Sequence, residues 1–492
     1  MLVLSLLVIL LAYLCHPMRA LLSETDFDTV DSFLAEHSNN VIQNLTSFLK
    51  IPSVSADPSR KQSVRQAALW LIDDLKAGGL ENVQLLETKL HPAVYADWLH
   101  AADAPTLLIY AHYDVQPEDP VELWTYGPFE PTVVDNRIYA RGATDDKGNL
   151  YVAVTAVKAM LAVHGSLPVN VKLFVEGEEE IGSPNLLETL KEHSALLRSD
   201  YALSADGGQV TPDIPGICLS ARGSVSLEVH VRVAAADMHS GVYGGGVQNP
   251  IHALSQLLSS LRDIESGRVL VEGFYDGVTD PSEEERQDIA AFPQSEREIL
   301  GIYGVNESYG EQGFTLLERV SLRPTLEIVG ITGGFQGEGI KTVLPREASA
   351  KISSRVVNGQ SIKHVLRCIE RHLRKEAQRI GGIVLSFTEF SWEANAYKTD
   401  KKTYMNSAAS RVLKDIYKRE PVYYNMGGSI PALSHMKEVL GLDTTIFAFG
   451  HLDEKAHSPN EFGRLDCFRR GERAYVRLLS QMAKGSIPKE EL

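Results

Sequence analysis

The sequence predicts an α/β fold, with a mostly parallel sheet flanked by helices and interrupted by an inserted α+β unit. Three observations carry that expectation. Four apolar runs, at 105–114, 168–175, 199–206 and 444–451, read as buried strands, and helical spacing lies between them. From about 222 to 391 the texture changes to strands alternating apolar and polar residues, as in a half-exposed sheet. After 392 the first texture resumes, so the second unit is expected to lie inside the first.

Taken in order, the chain opens on an apolar run, Leu2–Leu14. The run is short for a membrane span and suits the core of a leader, although no basic residue precedes it. Residues 1–22 are therefore expected to be a signal segment leading into the secretory pathway, with a cytoplasmic location as the alternative. Helical spacing from Phe27 to Leu49 stops at Pro52 and Pro58. "PTLLIYAHYD" is a buried strand running into a polar turn. "DDKGNLYVAVTAVKAMLAVHG" sets Leu150, Ala153, Val154, Val157 and Leu161 on one side of a helix that Gly165 ends. "PVNVKLFV" and "SDYALSAD" are further strands, completing the first part of the host domain at 23–221.

The insertion, 222–391, begins with "SVSLEVHVRV", apolar at 225, 227, 229, 231 and 233. Pro250 then opens a helix with Ile251, Leu254, Leu257, Leu258 and Leu261 on one side. Strands "PTLEIVGI" and "EASAKISSRVV", the helix "SIKHVLRCIERHLRKEAQR" before Gly381-Gly382, and the strand "IVLSFTEF" follow. The order β-α-β-β-α-β is the split βαβ arrangement. A segment at 263–324 interrupts it and is expected to be a helical excursion. The host resumes over 392–492.

Composition narrows the function classes. Acidic residues outnumber basic ones 64 to 48, a net charge of −16, which excludes a general nucleic-acid binder. Cys15, Cys218, Cys368 and Cys467 are scattered, so neither a disulfide framework nor a thiolate metal site is expected. In open α/β sheets the carboxyl ends of the strands form the ligand crevice. His112 and Asp114 follow the first strand, Glu178, Glu179 and Glu180 the second and Asp206 the third. His457 lies just beyond the fourth, and Asp145 stands at the start of a helix. Each has a plain alternative as a turn pair, a solvated acidic face or a helix cap. Their convergence on one sheet edge points instead to a bound cation.

Six blocks, "HYDVQP" (112–117), "GATDDKG" (142–148), "EGEEEIGS" (176–183), "HSGVYGG" (239–245), "GGSIP" (427–431) and "HSPNE" (457–461), occur in this order. Together they resemble the signature blocks of the co-catalytic dizinc dipeptidases. That is the carnosinase and cytosolic non-specific dipeptidase group, within the superfamily that includes aminoacylase and glutamate carboxypeptidase. The resemblance runs from about residue 25 to 485. It implies a zinc-peptidase catalytic domain whose insertion serves as lid and dimerisation domain. It implies two Zn²⁺ per subunit, one held by His112 and Asp206, the other by Glu180 and His457, with Asp145 bridging both. A nitrogen and oxygen donor set also tolerates Mn²⁺. Asp114 would orient His112, and Glu179 would be the general base for a metal-bridging hydroxide. Glu176 and Glu178 are expected to be structural or solvated.

From the insertion, the resemblance implies that His239 donates to the oxyanion of the partner's site in a homodimer. Arg355 would pair with the substrate carboxylate, and Thr342 and Ser429 would hydrogen-bond the substrate. It also implies a cis peptide bond between Asp145 and Asp146. One departure concerns carboxylate recognition: Asn425 stands two residues before the Gly-Gly of "GGSIP", where many relatives carry arginine. The expected function is hydrolysis of dipeptides by a metal-dependent dipeptidase. An aminoacylase or deacylase acting on N-acyl amino acids is the alternative on the same scaffold. An inactive paralogue that only binds peptide is the alternative from another class, and the full set of expected ligands and base argues against it.

Overall fold

In the computed structural model, which describes residues 24–302, 304–390 and 393–484, the run Thr106–His112 lies inside a six-stranded sheet. The order is Glu81–Leu86, Ala93–Trp98, Asn170–Glu176, Thr106–His112, Tyr201–Ser204 and Thr444–Ile446. The last four are mutually parallel. Side chains alternate between the faces of a strand, and here both faces are covered. Leu107, Ile109 and Ala111 join one buried cluster, with residues of the helices Lys61–Ala77, Lys147–His164, Tyr404–Tyr417 and Leu465–Lys484. Leu108 and Tyr110 join another, with residues of Leu186–Glu192 and Pro431–Leu440. Burial on both faces is why the run reads as continuously apolar.

Two strands of this sheet are not apparent from the sequence. Glu81–Leu86 and Ala93–Trp98 extend the sheet antiparallel. Ala93–Trp98 is buried throughout yet contains Asp97. Its carboxylate accepts hydrogen bonds from the Tyr95 hydroxyl at 2.7 Å and Asn82 Nδ2 at 2.9 Å. A buried polar group is tolerated when it is bonded, but in the sequence it breaks the apolar run.

A second sheet, ordered Thr325–Gly333, Glu347–Val356, Gly223–Arg232 and Val384–Glu389, is antiparallel throughout. Val225, Leu227, Val229 and Val231 bury their side chains with residues of the helices Pro250–Ser259 and Ile362–Ile380, forming a separate core. The element order is β-α-β-β-α-β. The excursion between its first helix and second strand holds three short helices, Glu283–Ala290, Glu296–Gly301 and Leu316–Ser321. Each starts with a reciprocal cap, Ser282 with Glu285, Ser295 with Glu298 and Thr315 with Glu318. Such caps are worth about 1 kcal/mol each and fix where a short helix starts.

The signal segment expected at 1–22 lies outside the described residues. Among the described residues no helix is long and apolar enough to cross a membrane. Cys218, Cys368 and Cys467 are buried free thiols.

Candidate metal centre

The carboxyl ends of the parallel strands converge on a crowd of acids. His112 closes Thr106–His112 and is fully buried. Glu179 and Glu180 lie in a 3₁₀ turn, Glu179–Ile181, just after Asn170–Glu176. Asp206 follows Tyr201–Ser204, and Asp145 sits two residues before the helix Lys147–His164. His457 comes from the loop leading to Phe462–Arg464. Donor atoms of His112, Asp145 and Asp206 lie within 4.8 Å of one another, and so do those of Asp145, Glu180 and His457. Asp145 is shared: one oxygen is 3.1 Å from His112 Nε2, the other 3.0 Å from His457 Nε2. His457 Nε2 is also 3.3 Å from Glu180 Oε2. The peptide bond between Asp145 and Asp146 is cis.

The electrostatics show acids in excess of cations. Burial raises Asp206 to about 7 and, with repulsion from Asp145, lifts Glu180. Burial likewise pushes Glu179 well above the usual carboxylate range. His457 is pushed up to about 11 by hydrogen bonds to Asp145 and Glu180. His112 is raised in spite of burial, through Asp114 and Asp145. Asp145 goes the other way: burial opposes its charge, but the two imidazoles hold it below the ordinary range. Two imidazoles thus serve as the counter-charge for a cluster with more carboxylates than that. Glu180 Oε1 is buried with no partner. An orphaned carboxylate oxygen among nitrogen and oxygen donors fits a pair of divalent cations.

Asp114 does more than was expected of it. His112 Nδ1 lies 3.1 Å from the Asp114 main-chain oxygen and 3.4 Å from its carboxylate. That carboxylate also accepts the backbone N–H of Glu179 at 3.2 Å and of Glu180 at 3.1 Å, so it fixes the acidic turn as well as the imidazole. Glu176 and Glu178 are structural rather than solvated. Glu176 accepts from the Tyr110 hydroxyl and Ser183 Oγ, and Glu178 from His91 N and Asn185.

Three neighbours were not singled out from the sequence. Glu461 is buried and accepts Arg141 at 2.7 Å and the backbone N–H groups of Gly142, Thr144 and Asp145 at 2.9–3.1 Å. It ties the Asp145 loop to the His457 loop. Its signal was present in the block "HSPNE", but its partners lie more than 300 residues away. Gln116 donates to Glu180 Oε2 at 2.7 Å. Arg222 donates to the Gly427 carbonyl at 3.0 Å, and burial together with the neighbouring Arg355 charge brings it down to about 10.

The remaining expected residues fall in two places. Arg355 donates to Ser429 Oγ at 2.7 Å. Asn425 accepts from Ser220 Oγ at 2.7 Å. His239 and Thr342 belong to neither donor cluster. His239 is exposed and pairs across strands with Val343, and its Nδ1 accepts the Gly241 N–H at 3.0 Å. The Thr342 carbonyl accepts Ser240 N–H at 3.0 Å.

The acid excess sets a pH signature for the metal-free protein. Glu176 stands at about 8, Asp206 and Glu461 at about 7, all through burial. Their unfolded values are about 4. A carboxyl raised in the fold holds its proton longer there, so its stabilising contribution is present below about pH 4 and is lost as pH rises through the folded value. Chelator-treated protein is expected to lose thermal stability from about pH 4 to 8. Excess Zn²⁺ at pH 8 should restore on the order of 10 °C in Tm. Scanning calorimetry checks this, and equal Tm with and without cation at pH 8 would contradict the acid-excess account.

Comparison with known proteins places the chain among metallopeptidases. The model of "Peptidase family M20/M25/M40" matches residues 108–481. The chain is 31% identical over 419 residues to human Beta-Ala-His dipeptidase, covering 84% of this chain and 80% of that protein. It is 29% identical over 451 residues to Cys-Gly metallodipeptidase DUG1 of Candida albicans, covering 88% and 92%. Among solved structures it resembles the M20 family metallo-carboxypeptidase Sso-CP2 from Sulfolobus solfataricus, with a TM-score of 0.83 and 32% identity over 90% of this chain and 99% of that one.

Proposed function

Because the chain belongs to peptidase family M20/M25/M40, we propose that it is a dimetal dipeptidase whose centre is built on Asp145. The observation that carries this reading is the pair of donor clusters sharing that one carboxylate. His112 and Asp206 would hold one ion, Glu180 and His457 the other, with Asp145 common to both. The donor set suits Zn²⁺ and also accommodates Mn²⁺. When bound, the cations supply Lewis-acid polarisation of the scissile carbonyl and water that ionises near neutral pH.

The chain's own residues do the rest. Glu179 belongs to neither donor cluster, although it adjoins Glu180. It acts as general base, taking a proton from the attacking water and passing it to the leaving amine. Burial raises its pKa above the usual carboxylate range, which makes it a stronger base than a solvated carboxylate. Asp114 holds Glu179 and Glu180 in register through their backbone N–H groups. Arg355, braced by Ser429, binds the substrate carboxylate. Arg222, beside it, adds the positive charge that Asn425 does not. Thr342 contributes a hydrogen bond to substrate.

His239 acts on a neighbouring copy. Its Nδ1 is an acceptor, so a neutral ring carries its proton on Nε2 and is a ready oxyanion donor. The insertion also offers apolar surface to a second copy of the chain. Val242 is 68% exposed, Ile340 92%, and Val329 and Ile331 63% each on the edge strand Thr325–Gly333. Open apolar edges of this kind call for a partner. The reading is thus a homodimer with composite sites, the insertion serving as lid and dimerisation unit.

The test is a substrate panel with metal analysis. Protein carrying about two cations per chain should hydrolyse unblocked dipeptides faster than N-acetyl amino acids. The opposite order would make it an aminoacylase. Two bound cations with no hydrolysis of either class would make it a binder.

A further inference from the structure

The cleft at the candidate centre reaches well beyond the donors. Its volume is about 530 Å³, in the range that encloses a drug-sized ligand rather than a minimal dipeptide. Asp145 and Asp206 line it, and so do Ile289, Phe292, Ile299, Leu317, Val320 and Met426. Among its described lining residues those aspartates are the only carboxylates, and there is no lysine or arginine. Most of the apolar wall comes from the 263–324 excursion. Its helices Glu283–Ala290 and Leu316–Ser321 pack against the strand Val422–Met426, which carries Met426. Val320 remains 41% exposed. An apolar wall left open beside a reaction centre gains free energy when a ligand covers it.

Arg355 and Ser429, the proposed carboxylate anchors, do not line the cleft. We infer that the cleft receives the acyl half of the substrate and selects a bulky, uncharged apolar group there. The direction in which the substrate lies rests on the dipeptidase reading. A leucine-sized side chain and a medium N-acyl chain share the required chemistry. A charged side chain would lose its hydration there: no lysine or arginine lines the cleft to meet an anion, and the two aspartates are committed as candidate metal donors rather than partners for a cation. A methyl group would leave most of the wall wet.

The experiment has a kinetic and a binding arm. For metal-loaded wild-type protein, kcat/KM for leucyl-glycine should exceed that for alanyl-glycine by at least about tenfold. Lysyl-glycine and glutamyl-glycine should fall below alanyl-glycine. N-hexanoyl-glycine against N-acetyl-glycine tells an acyl chain from a side chain as the source of the apolar group. Val320→Asp, at a position exposed enough to carry a charge without unfolding, should bring the leucyl to alanyl ratio to about one. Calorimetric binding of the same two dipeptides to the Glu179→Gln variant gives the second readout. Similar rates and similar affinities for both dipeptides would overturn the cleft assignment and leave the dipeptidase reading standing. Tighter binding of leucyl-glycine with no hydrolysis by wild type would overturn the dipeptidase reading and keep the cleft as an apolar subsite.

Discussion

Glu179→Gln is expected to retain two divalent cations per chain while kcat falls by about 10²–10⁴-fold. The two properties separate because Glu179 and Glu180 are adjacent in sequence but are proposed to have different tasks. Glu180 Oε2 lies 3.3 Å from His457 Nε2 and belongs to a donor cluster, whereas Glu179 belongs to none. Both backbone N–H groups are held by Asp114, so an isosteric amide at 179 leaves the turn in place. What it removes is the ability to accept a proton. The loss should therefore appear in kcat with KM little changed, since the proposed carboxylate anchors are untouched. Glu180→Ala should behave oppositely and bind fewer cations, because a buried donor is deleted. Elemental analysis alongside steady-state kinetics distinguishes the two. Near-normal turnover in Glu179→Gln would remove it from the role of base.

The second large effect concerns His239. His239→Ala should cost about 10²–10³-fold in kcat with metal content unchanged, the usual price of one oxyanion donor. A loss of that size from an exposed residue in neither donor cluster is the result expected if its target lies in another subunit. Mixing the inactive Glu179→Gln and His239→Ala proteins under conditions of subunit exchange tests this. In each mixed dimer one site carries both lesions and the other carries neither. With random exchange, about a quarter of all sites should work again. If exchange is demonstrated by differently tagged subunits and activity stays at the level of the mutants, His239 acts within its own chain or has no catalytic part.

The four parallel strands were legible because burial on both faces demands an unbroken apolar run, and their polar residues follow at the carboxyl ends. The split βαβ order was legible for the complementary reason: one face of that sheet is less buried, so its strands alternate. Ala93–Trp98 was not legible. Its Asp97 is acceptable only because Tyr95 and Asn82 bond it. Arg222 was passed over in the same way. Nothing local marks it, and its meaning comes from Arg355, which lies far along the chain but close in the fold.

The sequence by itself determined the chemistry on offer. Nitrogen and oxygen donors without thiolates, an acid next to an acid after a strand, and an arginine near a strand end are local facts fixed by residue type and strand termini. The tertiary structure decided which of those groups meet. Asp145 meets His112 and His457 at once, Asp114 holds a turn as well as an imidazole, and Glu461 clamps two loops. The excursion at 263–324, uninformative as a sequence, becomes the apolar wall of the cleft. Hydrogen bonds and donor clusters depend on separations of a few ångströms between segments up to hundreds of residues apart. Only the packing of the layers sets those separations, because chain connectivity alone leaves distant segments free to lie almost anywhere relative to one another.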